Sequence, residues 1–76
     1  MAIAFILIDC KVGKERVVYE ELRNHKEAVE VNVLLGDWDL IAKAEGSDFN
    51  ALTQYADRLR QNPDIIDMRY LTAINF

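Results

Sequence analysis

The chain has 76 residues, 51% of them apolar, and nine Lys and Arg against thirteen Asp and Glu give a formal charge of -4. That length makes a single domain, 1–76, which buries only about 60–65% of the surface its unfolded chain exposes, so its core is marginal and oligomerisation is the expected support. The scattered basic residues exclude the footprint of a nucleic-acid binder, and one cysteine with one histidine excludes an intrachain disulfide and a Cys/His zinc site; no metal or cofactor is expected.

Ile3 to Asp9 is apolar at nearly every position and rich in branched residues, the pattern of a strand covered on both faces. No basic segment precedes it, it is too short to span a bilayer, and Asp9 follows at once. It reads as neither leader nor membrane anchor, so a cytoplasmic location with Cys10 reduced is expected. Gly13 breaks the run, and Lys14 to Lys26 reads as a helix. Val18, Leu22 and His25 follow its apolar side, with Val17 and Ala28 near them. Val29 to Leu35 is a second strand, with Val29, Val31, Val33 and Leu35 alternating against Glu30 and Asn32. After the turn at Gly36-Asp37-Trp38-Asp39, Leu40 to Glu45 is a third strand.

Ser47 or Asp48 caps a second helix, in which Leu52, Tyr55, Ala56 and Leu59 sit at i, i+3, i+4 and i+7. Asn62-Pro63-Asp64 ends it, because the residue before a proline disfavours α geometry. Met68 to Ile74 is the last strand, with Met68, Tyr70, Thr72 and Ile74 on one side and Arg69, Leu71 and Ala73 on the other.

The order β-α-β-β-α-β, joined by right-handed crossovers, predicts a ferredoxin-like α+β fold: a four-stranded antiparallel sheet with two helices on one face. The other face carries apolar side chains that nothing in the chain covers, which is the character of a protein–protein interface. Two sheets stacked about 10 Å apart would cover it, making a dimeric α/β barrel.

The hairpin turn holds the most specific chemistry. Gly36 supplies a positive φ and Asp can bond nearby backbone, so the turn is well specified without Trp38, the one tryptophan in the chain. An indole beside two carboxylates points to an interface or a small polar ligand.

These residues resemble the RAM domain (regulation of amino-acid metabolism), the C-terminal effector domain of Lrp/AsnC-type transcription regulators. The resemblance runs over nearly the whole chain: the opening strand, Gly13-Lys14-Glu15 at the first helix, Ala28-Val29-Glu30-Val31 before the second strand, and the Asp48, Leu52, Tyr55, Leu59, Pro63 spacing of the second helix. Its most specific part is Gly36-Asp37-Trp38-Asp39-Leu40, similar to the family's Gly-x-Tyr/Trp-Asp-Leu hairpin. Family regulators carry an N-terminal helix-turn-helix, whereas here the first strand begins at residue 2, so the chain resembles a stand-alone RAM protein. The resemblance implies sheet-to-sheet dimers assembling into a ring, an octamer of four dimers, with an amino-acid effector bound where dimers meet. It also implies mixed assemblies with a full-length family regulator. Carried over by residue, the effector site takes Gly36, Trp38 and Asp39, with Asp37 as the variable member.

For Asp39 two readings stand side by side: it grips the ammonium of an amino acid, or it closes the turn through its own backbone amides. Trp38 walls the ligand pocket, anchors a contact between dimers, or packs on its own domain. Arg69 and Leu71 depart from the resemblance, which places Ser or Thr there; Arg69 either grips a ligand carboxylate or is a solvated strand residue. His25 reads as a packed or capping residue and Cys10 as a small buried hydrophobe, neither placed to make a nucleophile–base pair, so no catalytic residue is assigned. Three function classes follow: an effector-binding and oligomerisation module, a structural ring without ligand, and a small dimeric α+β-barrel enzyme. The first fits the residues best.

Overall fold

The computed structural model describes residues 1–73. It runs β1 (Ala2–Cys10), α1 (Glu15–Arg23), β2 (Ala28–Val33), β3 (Leu40–Gly46), α2 (Phe49–Arg60) and β4 (Ile65–Ala73). The sheet is antiparallel throughout, in the order β2-β3-β1-β4, and this is the ferredoxin-like arrangement read from the sequence. Ile74 lies outside the described residues.

Strand parity divides the molecule into two sides. Ala2, Ala4, Ile6, Ile8 and Cys10 of β1 are buried with Leu40, Ala42 and Ala44 of β3, beneath Val18 and Leu22 of α1 and Leu52, Tyr55 and Leu59 of α2. The alternate residues Ile3, Phe5 and Leu7 are only half-buried, paired with Glu45, Lys43 and Ile41 on one flank and with Ala73, Leu71 and Arg69 on the other. The continuous apolar run of β1 therefore serves two faces, one sealed by helices and one open within the single chain. The open face is the one the sequence pattern left uncovered by its own chain.

The helices show why the local sequence stops where it does. Asp48 caps α2, its Oδ1 accepting from the Ala51 amide at 2.8 Å. In α1, Val18 and Leu22 stand one turn apart and face the sheet, which turns Val17 about 100° aside, and it is 54% exposed rather than packed with them. The helix ends at Arg23 rather than Lys26 because Asn24 caps it: its backbone N–H and that of His25 donate to Glu21 and Leu22, and its Nδ2 donates to the Glu20 carbonyl at 3.1 Å.

Strand β2 departs most from the sequence pattern. Ala28 pairs with Ala44 and Glu30 with Lys43, so Val29 is an extra residue in the ladder, a bulge. Past it, Val31 and Val33 share the helix side, Val29 is exposed, and Leu35 falls beyond the strand, fully exposed. A similar slip in β4 leaves Ile66 outside the pairing, with Asp67 opposite Asp9 and Ile65 opposite Cys10. On the helix side of β4, the Tyr70 hydroxyl is buried and finds no hydrogen-bond partner among the described residues.

Candidate functional site

The loop joining β2 to β3 is closed by the Leu34 amide donating to the Asp39 carbonyl at 2.8 Å. Gly36 has φ 140°, a conformation side chains rarely adopt, and nothing lies within 4 Å of where its Cβ would stand. Glycine is therefore there for its backbone freedom, not for want of space. Asp37 is exposed and Trp38 half-buried.

Asp39 is tied to β1 twice. Its amide donates to the Ile8 carbonyl at 3.0 Å, and its Oδ2 accepts from the Cys10 amide at 2.8 Å. The carboxylate thus takes up a backbone donor at the end of β1, where the register slip with β4 interrupts the ladder. A contact 29 residues away along the chain carried no signal in the sequence. The bond fixes the hairpin on the sheet and leaves the second carboxylate oxygen without a partner among the described residues.

Cys10 lies under this lock. Burial first, then the Asp39 charge with smaller contributions from Glu15, Asp9 and Asp64, pushes its thiol up to about 11. It stays protonated at neutral pH and reads as a core residue, not a nucleophile.

The structure gathers Gly36, Asp37, Trp38 and Asp39 in one loop at the end of the sheet. Arg69 is elsewhere: it is exposed on the open face of β4, across from Leu7 and two residues along from Asp67. That face carries Phe5, Leu7, Ile41 and Leu71 at its centre.

A cleft of about 510 Å³ separates the C-terminal parts of α1 and α2 on the opposite side of the molecule. His25 Nδ1 and the Tyr55 hydroxyl are bonded across it at 2.8 Å, with the rings edge to face, and Asn62 Nδ2 donates to Glu21 Oε2 at 2.6 Å. Arg58 lies 5.2 Å over the Tyr55 ring and pairs with Glu27. Burial, reinforced by the Glu27 charge, raises the Tyr55 phenol well above its ordinary value, so it remains a proton donor. Burial works against ionisation of Glu27, but its own amide and Arg58 together hold its carboxyl below the usual range. The polar side chains that span the cleft bond to one another, so it is a strut between helices; His25 is a packed residue, as its place at the helix end predicted.

Among the described residues no three His, Cys, Asp or Glu side chains converge as a metal site, and no helix is long and apolar enough to cross a membrane.

Comparison with known proteins gives this geometry a context. The structure of FFRP-DM1 matches with a TM-score of 0.93 and 37% identity, over 97% of this chain and 100% of that one. The HTH-type transcriptional regulator FL11 of Pyrococcus horikoshii is 32% identical over 63 residues, 83% of this chain, which spans only 42% of that regulator's length. A transcriptional regulator of Neisseria meningitidis, NMB0573, solved as its L-Met complex, shares the fold at 21% identity and a TM-score of 0.82, over 97% of this chain and 50% of that one. The model of the Lrp/AsnC ligand binding domain matches residues 3–75, and with the hairpin and sheet described above, the chain belongs to that family.

Proposed function

We propose that this chain is a non-enzymatic, cytoplasmic effector-binding and oligomerisation module. It dimerises through the open sheet face, builds a ring of dimers through the hairpin end, and takes a small amino acid where dimers meet. The observation that carries the reading is the hairpin itself: a glycine turn with Trp38 and Asp37, fixed on the sheet by the Asp39–Cys10 bond. A ligand site at an interface needs such a preorganised loop, because every residue left mobile subtracts from affinity. Asp39 keeps one oxygen for an ammonium, Gly36 offers bare backbone to a carboxylate, and Arg69 reaches the ligand only across the sheet-to-sheet interface. The L-Met complex of NMB0573, which has the same fold, supports an amino acid as the ligand class.

Effector binding would shift the balance between assemblies by no more than its difference in affinity for them. The shared family supports a mixed assembly with a full-length regulator, in which this chain modulates transcription, and its net charge of -4 argues against direct contact with DNA. A ring without ligand is the second reading, favoured by Arg69 and Leu71 standing where the family resemblance implies hydroxyls.

Light scattering of the purified chain, alone and with each of the twenty amino acids, tests the proposal. A dimer that grows with one or a few amino acids is expected. A large assembly indifferent to all twenty would leave the ligand-free ring, and a stable monomer would overturn both.

A further inference from the structure

A separate surface lies at the corner where α1 passes the end of β2. A groove of about 380 Å³ there is floored by Tyr19 and Val33 and rimmed by Glu15, Arg16 and Glu20. Val33 has helix-side parity yet is 61% exposed, so α1 leaves it uncovered. Two residues on, Leu35 stands wholly in solvent and does not fill the groove beside it. The Arg23 guanidinium stands 5.6 Å from the Tyr19 ring centroid. An apolar knob and an apolar groove therefore sit side by side on one corner.

We propose that this corner is a self-association surface whose occupant is the same corner of a second copy, with Leu35 of each chain seated in the Tyr19–Val33 groove of the other. The proposal rests on the assembly reading above and names the residues that make one of its contacts. Adjacency of knob and groove is what a twofold axis requires, because both insertions then form at once from one patch. The charges agree. Arg16 and Glu20 are exposed one helical turn apart, and neither has an ion-pair partner among the described residues, not even the other. Glu15 is committed to the Gly13 amide. A rim that carries both signs is self-complementary about a twofold when Arg16 of each copy faces Glu20 of the other. The apolar contact supplies affinity and the crossed charges fix the register.

The test is the concentration-dependent mass of the full chain by sedimentation velocity, with circular dichroism to confirm that each variant is folded. The three corner side chains substituted are on the surface, so the fold is expected to survive in those variants. Leu35→Ser should weaken self-association about a hundredfold or more, because the twofold contact buries two leucines, each worth tenfold or more. Arg16→Glu and Glu20→Arg should each weaken it alone, and their equimolar mixture should recover wild-type association, since every rim pair is then opposite in sign. Phe5→Asp on the open face reports the sheet-to-sheet dimer independently. Wild-type behaviour in Leu35→Ser, or a mixture no better than its components, would overturn the corner contact whatever Phe5→Asp does. Loss of association in Phe5→Asp with all corner variants unchanged would keep the sheet dimer and reject the corner. A wild-type chain that is monomeric at every concentration would reject both.

Discussion

Replacing Asp39 by Ala removes the acceptor of the Cys10 amide at the end of β1. A hydrogen bond to a charged acceptor is worth roughly 1.5–3 kcal/mol net, and because Asp39 is half-buried the lower end applies, about 1.5–2 kcal/mol. Asp39→Asn keeps an oxygen in place without the charge and should cost roughly 0.5–1 kcal/mol. A domain of this size has on the order of 4–11 kcal/mol in all, so the Ala variant forfeits a visible fraction. The assay is urea denaturation at pH 7, read at one fixed protein concentration because association adds to apparent stability, with an unchanged slope expected for both variants. Stability should fall in the order wild type, Asn, Ala. An Ala variant within roughly 0.5 kcal/mol of wild type, as at an ordinary surface position, would refute the lock. The Asn variant also separates the two roles of the side chain. If Asp39 only fixes the hairpin, the response of assembly to amino acids survives in Asn. If the carboxylate holds an ammonium, that response is lost while most of the stability remains.

Tyr55→Phe should cost about 0.5–1.5 kcal/mol by denaturation, since the buried ring is kept and only the bond to His25 is lost; a neutral result would mean the strut bears no weight. Cys10 predicts an alkaline loss of stability. Its thiol ionises near 9 when unfolded and near 11 when folded, so its contribution is complete below pH 9 and disappears as pH rises to about 11. Over that window wild type should lose up to about 1.4 kcal/mol per pH unit relative to Cys10→Ala, and parallel pH profiles for the two proteins would contradict the burial of the thiol.

What was legible in the sequence was local. The helix α2 declared itself through Asp48 and the spacing of Leu52, Tyr55 and Leu59, and the hairpin through Gly36 between two apolar runs. The bulge at Val29 was hidden because Val29, Val31, Val33 and Leu35 alternate without a flaw; in the structure three of the four are exposed, and no local propensity marks the inserted residue. Asn24 cuts α1 short by a capping geometry that its apolar periodicity overran. At the candidate site, the residue types were readable but their partners were not. Asp39 finds Cys10 and His25 finds Tyr55 across 29 and 30 residues, pairings decided by how the sheet and helices stack rather than by any motif. The exposure of Leu35 ran against its hydrophobicity, which is why it draws attention once the fold is known.

The two bulges have a bearing on how copies of this chain can meet. Strands β2 and β4 are the rims of the sheet, and a rim with open backbone donors and acceptors is a template on which another strand can grow without limit. Each rim is broken, at Val29 and at Ile66, and carries charge beside the break in Glu30 and Asp67. A neighbouring strand would lose its ladder at the interruption and desolvate a carboxylate as well. Growth along the rims into fibres is disfavoured at these breaks, which favours contacts between side chains, finite in number and able to close on themselves.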